Sequence, residues 1–258
     1  MGFSWTPVQP GRLHQKTASN GAVFAKIVLM LLDFLFPRRC LGCGRWGQYF
    51  CSFCLNRLSL NKQGICPACE RPSMGGLTHT KCLTPQSLNG LTAIFSYKGL
   101  IKKAIKKLKY RFVSDLAEDL VELFLSFCGE DKTFSRFCQE RNVSFVPVPL
   151  HPKRKRWRGF NQAELLGKMI ASNLGLTFLP DLLVRTKNTK PQTQLEEKEG
   201  KKNVRGAFKI SSNSKFLNLK PKILLFDDIW ITGSTLGECG KVLKKEGVKK
   251  VWGLTLAR

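Results

Sequence analysis

Seven cysteines fall between Cys40 and Cys82, and their spacing constrains the fold more than any other feature of the chain. They read Cys40-x2-Cys43, Cys51-x2-Cys54 and Cys66-x2-Cys69, followed by His79-x2-Cys82. A CxxC turn presents two thiolates from one tight bend, and two such turns complete a tetrahedron around zinc. Gly42 and Gly44 suit the first bend. Eight ligands are enough for two ions. Both would be closed structural sites, because three thiolates and an imidazole leave no open position for water. Spacing alone leaves open which pair partners which. Disulfides are the competing reading, and they require an oxidising compartment for which nothing in the chain argues. A segment this short buries too little apolar surface to fold alone, and metal binding worth about 10 to 16 kcal/mol per structural zinc makes up the difference. The expected zinc-bound domain covers residues 37–85. Cys128, Cys138 and Cys239 lie outside the pairs and are expected as small buried hydrophobes.

Upstream, residues 1–21 are polar and broken by Pro7, Pro10 and Gly11, which predicts a flexible tail. Ala22 to Phe36 is apolar, but Lys26 and Asp33 interrupt it and no small-residue cleavage site follows. It is also shorter than the ~20 residues of a membrane span. Residues 22–36 are therefore expected as an amphipathic helix packed on the protein, in a cytoplasmic chain without a transmembrane segment.

Lys and Arg number 43 against 18 Asp and Glu, a net charge of +25. Such a surface attracts phosphates, and nucleic acid or a phosphorylated ligand is the expected partner. With 43% hydrophobic residues the chain can bury a core, which excludes wholesale disorder. Lys98 to Arg111 holds seven basic residues and no acid. Ile101, Ala104, Ile105, Leu108 and Phe112 recur at helical spacing, so Lys102, Lys103, Lys106, Lys107 and Lys109 crowd the remaining face. That face is the candidate nucleic-acid contact. Val143 to Leu150 reads as a strand that Pro147 and Pro149 should end early. A basic loop follows, with Lys153, Arg154, Arg156 and Arg158 as candidate phosphate ligands, before Asn161 caps a helix to about Asn173. Trp157 within it is either a half-buried loop residue or a platform for a base. Residues 185–205 show no apolar period and are expected as a mobile loop able to close over a ligand.

The last segment is the most specific. Lys222 to Phe226 reads as a buried parallel strand that stops at Asp227-Asp228. Ile229 to Thr235 leads into a helix with apolar Leu236, Cys239 and Leu243, closed by Gly247, and Val248 to Leu256 returns as a strand. This unit implies a right-handed crossover and a parallel α/β sheet. Two carboxylates at a strand's C-terminal end can hold vicinal hydroxyls or magnesium. Gly233 admits close approach of backbone to phosphate, and Thr232, Ser234 and Thr235 add hydroxyls at the helix N-terminus. A ribose 5-phosphate satisfies all of these groups.

Phe226 to Thr235 resembles the phosphoribosyl pyrophosphate (PRPP) loop of type I phosphoribosyltransferases. The chain from about residue 30 resembles the ComF (competence protein F) family. The resemblance rests on the CxxC pairs, Leu108-Lys109-Tyr110, Val148-Pro149-Leu150, Arg158 to Gln162, Thr189 with Gln192, Asn203 to Phe208, and Asp227-Asp228. It implies a double zinc ribbon followed by a type I phosphoribosyltransferase-like domain, a parallel sheet flanked by helices, over residues 92–258. It implies PRPP binding with magnesium, in which Asp227 and Asp228 take the ribose hydroxyls, directly or through the metal, and are the catalytic candidates. Ile231, Thr232, Gly233, Ser234 and Thr235 would hold the 5-phosphate, and the basic turn would face the pyrophosphate. It further implies a role in natural transformation, with single-stranded DNA and a competence helicase as partners. Transfer of the sugar phosphate to a nucleobase or amine is the alternative activity, and a non-catalytic DNA-binding module is the other. Three residues depart from the family pattern: Trp230 is bulkier than usual, Ile231 stands where a small or hydroxylated residue is common, and His79 replaces a commoner cysteine.

Overall fold

The computed structural model describes residues 38–110, 114–189, 203–211 and 222–258. The expected tail, the helix over residues 22–36, Phe112 and Gln192 lie outside the described residues. The described residues divide after Leu58 into two compact units.

In the first unit a knuckle is tied by the Cys40 N–H donating to the Arg45 carbonyl at 2.8 Å and the Gly44 N–H donating to the Cys40 carbonyl at 2.8 Å. The turn needs a left-handed residue, and Gly44 supplies it at φ 79°. Arg39 and Trp46 pair across it, with the guanidinium 3.7 Å from the indole centroid. The single-turn helix α1, Ser52–Leu55, follows. The second unit opens with the same device. The Cys66 N–H donates to Arg71 at 2.9 Å and the Glu70 N–H to Cys66 at 2.8 Å, with Glu70 at φ 57° where the first knuckle has glycine.

The elements that follow are β1 (Gly90–Phe95), α2 (Gly99–Tyr110), α3 (Ser114–Cys128), α4 (Lys132–Cys138), β2 (Val143–Pro147), α5 (Pro152–Arg158), α6 (Gln162–Asn173), β3 (Thr177–Phe178), β4 (Leu183–Arg185), β5 (Phe208–Ile210), β6 (Lys222–Ile229), α7 (Ser234–Lys245) and β7 (Lys250–Ala257). Five strands form one sheet in the order β1-β7-β6-β2-β3, each neighbouring pair parallel. β4 and β5 pair antiparallel by themselves. The fold is therefore the expected α/β class, a parallel sheet flanked by helices behind zinc-binding cysteine clusters.

Because side chains alternate across a pleat, β2 and β6 feed two cores. Val146, Ile223 and Leu225 pack with Leu236, Cys239 and Leu243 of α7. Phe145 and Phe226 turn to the other face, with ring centroids 5.5 Å apart, and meet α6. A Cβ at Gly167 of α6 would come within 2.8 Å of the Phe145 ring, so only glycine lets this helix lie so close to the sheet. α6 carries β2 to β3 on one side and α7 carries β6 to β7 on the other. The progression therefore reverses between β2 and β6, and the C-terminal ends of those two strands border the crevice where open α/β sheets take ligands.

Several boundaries differ from the sequence reading. β6 does not stop at Phe226 but runs to Ile229, because the eight-residue β7 continues to pair with it at Asp227↔Thr255 and Ile229↔Ala257. The expected basic loop is the helix α5. His151 accepts from the Lys153 N–H at its start, Pro152 sits where a missing N–H costs nothing, and Gly159 ends it at φ 81°. Trp157 is 72% exposed rather than half-buried, since α5 lays this residue on an outer face. Within the segment expected as a mobile loop, Arg185 closes β4.

Candidate functional site

Each set of four metal ligands is assembled. The donor atoms of Cys40, Cys43, Cys51 and Cys54 lie within 4.8 Å of one another, as do those of Cys66, Cys69, His79 and Cys82. The Cys40–Cys51 and Cys43–Cys51 sulfur separations of 3.5 and 3.6 Å match the edge of a tetrahedron with ~2.3 Å Zn–S bonds. They are far too long for disulfides of ~2.05 Å. In the second set, His79 Nδ1 stands 3.3 Å from Cys69 Sγ and its Nε2 lies 3.0 Å from the Pro72 carbonyl. That carbonyl accepts the Nε2–H and leaves the Nδ1 lone pair for metal. In both sets the first thiol is held below the ordinary range. Burial resists ionisation of Cys40, but knuckle N–H groups outweigh it and bring the thiol down to about 6, while Cys66 falls to about 7 for the same reason. Cys54 is pushed up to about 12 by burial and its sulfur neighbours, and Cys82 to about 11, chiefly by Cys69. Thiols packed this closely ionise together only around a cation. These are two structural zinc sites, each using adjacent knuckles in sequence.

At the C-terminal end of β6 the pleat sends Asp227 and Asp228 to opposite faces. Asp228 meets α2, where Lys109 Nζ lies 2.7 Å from its Oδ2. Asp227 faces the side of α7 and β4, where with burial it helps to hold the Cys239 thiol protonated and where it feels the Arg185 guanidinium. Its Oδ1 accepts the Asp228 N–H at 2.9 Å. Burial and the adjacent Asp228 charge push the Asp227 carboxyl up to about 7, against the pull of Lys109 and Arg185. Burial works against the Lys109 ammonium, but Asp228 and Asp227 outweigh it and hold its pKa above the ordinary value.

The loop beyond β6 is anchored by the Trp230 N–H donating to Ala257 at 2.8 Å. Trp230 is buried beneath it, with an indole N–H that has no hydrogen-bond partner. Ile231 is 38% exposed, and its side chain offers no hydroxyl. Gly233 adopts φ 64° at the N-cap of α7 and contributes no side-chain acceptor. Thr232 and Ser234 hydroxyls are 2.6 Å apart, and Thr235 follows in the first turn. Amides and hydroxyls thus gather at the positive end of a three-turn helix. A cavity of 550 Å³ opens beside Thr232, Gly233 and Ser234 and is bounded across from them by Cys69 and Glu70 of the second knuckle.

On the β2 side, α5 carries the other cations. Lys153 and Arg156 are exposed, whereas Arg154 and Arg158 are half-buried. Arg158 donates to Gln162 Oε1 at 3.0 Å. Arg154 donates to the Thr189 carbonyl and Arg185 to the Thr189 hydroxyl. Burial and the surrounding cations keep the His151 pKa low, which suits its role as a neutral acceptor at the start of α5. Asn161 donates to the Val148 carbonyl at 3.1 Å and accepts from the Ala163 N–H at 3.1 Å, fixing the exit of β2 to α6.

Of the five lysines expected on one face, Lys102, Lys103 and Lys106 are exposed and Lys107 is half-buried. Lys109 departs from them to pair with Asp228, because its place near the end of α2 brings it to the tip of β6. Sequence reasoning missed this partnership. It also missed Arg185, which sits in a stretch without periodicity and becomes visible only once β4 and β5 pair.

The double zinc ribbon domain family matches residues 31–83. Competence protein F of Haemophilus influenzae is 28% identical over 228 residues, covering 81% of this chain and 98% of that one. DNA utilization protein YhgH of Escherichia coli is 29% identical over 223 residues, 83% of this chain and 92% of that one. Competence protein ComFC of Bacillus subtilis is 25% identical over 250 residues, 92% of this chain and 98% of that one. Among the described residues no helix is long and apolar enough to cross a membrane. Along most of its length the chain is thus similar to competence protein F, ComFC and DNA utilization proteins, and it opens with a double zinc ribbon whose ligands it assembles in pairs.

Proposed function

We propose that the chain binds PRPP, with magnesium, in the crevice between β2 and β6, and contacts single-stranded DNA through its basic surface as a cytoplasmic factor in the use of incoming DNA. The observation that carries this reading is the convergence of an acidic pair, a helix N-terminus without a side-chain N-cap and a basic helix where the sheet reverses direction. Asp227 and Asp228 suit the ribose hydroxyls. Residues Ile231 to Thr235 suit the 5-phosphate, with Ile231 contributing backbone alone, and one missing neutral hydrogen bond costs only about 0.5 to 1.5 kcal/mol. Lys153, Arg154, Arg156 and Arg158 suit the pyrophosphate, whose charge magnesium neutralises when bound. Lys109 exchanges its contact with Asp228 as the diol arrives. The +25 charge supports a polyanionic partner. The names of the relatives, competence and DNA utilization proteins, support a role in DNA uptake; a competence helicase is the protein partner proposed with it.

A second reading, phosphoribosyl transfer, is favoured by the Asp227 carboxyl near 7. A nucleobase or amine nitrogen would bond to C1 as the C1–O bond to pyrophosphate breaks, and the acceptor's proton would pass to the Asp227 carboxylate. Calorimetric titration of the zinc-loaded protein with PRPP and magnesium tests both readings. Binding that is lost when Asp227 and Asp228 are both changed to Asn supports the site. Absence of binding in the wild type, or unchanged binding in the variant, overturns it. Pyrophosphate release on adding an acceptor would establish the transferase.

A further inference from the structure

A second recess lies on the outer side of α5, a cavity of 330 Å³ lined by Lys153, Arg154, Trp157, Asn188 and Thr189. Lys153 and Arg154 stand four and three residues before Trp157, so the three share one face of the helix. The indole is 72% exposed, whereas Trp230 and Trp252 are buried at 5% and 3%. A large aromatic surface held in water beside cations is costly for the fold and useful to a ligand that is both flat and anionic. Arg154 donates to the Thr189 carbonyl and so joins the helix to the opposite wall. Asn188, on that wall, has an amide able to donate and accept at a base edge. The charged residues lining the recess are both cations. The cavity beside α7 differs, since it includes Glu70 and Glu238.

We infer that this recess is a nucleobase-stacking site for single-stranded nucleic acid, with the base on the Trp157 ring and a flanking phosphate on Lys153, a cation that the strand would share with the pyrophosphate of the crevice. Every base has an aromatic face, so such a platform takes single strands with little regard to sequence. A duplex keeps its bases stacked on one another and offers the indole no free base face. The inference rests on the single-strand part of the reading above and adds where a base is held.

The test uses the full zinc-loaded chain and two labelled oligomers of equal length and phosphate number, oligodeoxythymidylate and its abasic counterpart, followed by fluorescence anisotropy. The wild type is expected to favour the base-bearing strand by roughly 5- to 100-fold. Trp157→Ala should bind both strands at the abasic level, and Trp157→Phe should keep most of the preference. Changing Lys102, Lys103 and Lys106 to Gln should weaken both strands together and leave the preference intact. Equal binding of the two strands by the wild type, or a preference that survives Trp157→Ala, overturns the inference alone. Binding of neither strand overturns it together with the single-strand reading. Free thymidine competing as well as the strand would make the recess a pocket for a small base and also overturn it. PRPP titration of Trp157→Ala, expected to match the wild type, keeps the outcome separate from the crevice.

Discussion

Gly233→Ala tests whether the loop before α7 is built around glycine. Two costs add at this position. The residue sits at φ 64°, where an L side chain costs about 1 to 2 kcal/mol. Its new Cβ would also lie 2.2 Å from Cζ2 of Trp230. That ring is 5% exposed and belongs to the packed core, so relief requires overpacking worth about 1 to 3 kcal/mol. The sum is about 2 to 5 kcal/mol. Gly237, one turn on, is the internal control, because a Cβ there meets nothing within 4 Å and its φ is ordinary. Gly237→Ala should therefore stabilise the helix by about 0.5 to 1 kcal/mol. Thermal unfolding of the zinc-loaded proteins separates them, at about 2 to 4 °C per kcal/mol for a unit of this size. Gly233→Ala is expected to melt at least about 4 °C below the wild type, the lower bound of these figures, and to lose PRPP binding. Gly237→Ala is expected to melt slightly above the wild type. A Gly233→Ala protein that melts with the wild type would refute the reasoning.

Asp227 gives a pH dependence. Its carboxyl titrates near 7 in the fold against an ordinary value of 3.8, so the native state holds the extra proton between those limits and stability falls as pH rises through them. Asp227→Asn removes that slope, and urea titrations should show the variant gaining on the wild type from pH 5 to pH 8; parallel curves would contradict the assignment. Cys40→Ser should lower bound zinc from two ions per chain to one by atomic absorption, and Cys66→Ser should do the same from the other set, whereas loss of both ions from either variant would show that the ligand sets are not independent. Changing Lys102, Lys103 and Lys106 to Gln should reduce the slope of log K against log salt for single-stranded DNA by about 2, at ~0.7 per phosphate contact. An unchanged slope would remove this face from the interface.

Much of this architecture was legible because local signals agreed with the global fold. Three CxxC pairs and His79-x2-Cys82 marked the eight donors that the fold gathers in two sets, and the apolar run from Ile223 to Phe226 announced a buried parallel strand. Pro147 marked the end of β2 where the strand does end. The failures share a cause. Whether residues 152–158 coil or form a helix depends on a His151 cap and a glycine terminus as much as on composition, and charge alone read them as a loop. The extension of β6 through Ile229 is decided by its partner β7. Lys109 lies in a run of lysines that look alike in sequence, and only the packing of α2 near the tip of β6 singles it out. Arg185 and Thr189 gain meaning from contacts with residues far along the chain, which no local pattern encodes.

The position of β1 bears on how the protein is made. This strand pairs in the sheet with β7 alone, and Phe95 waits for Ala257, 162 residues later. At about 5 to 20 residues per second, a ribosome takes roughly 10 to 30 s to supply that partner. During this interval Leu91, Ile94 and Phe95 have no sheet to join, although the knuckles before them can already take up zinc. The nascent chain should thus carry a folded metal-bound head beside an unpaired apolar strand, a natural target for chaperones. Stalled chains ending before Lys250 should remain open to protease at Gly90–Phe95, and protection there would mean that another segment shelters the strand until β7 arrives.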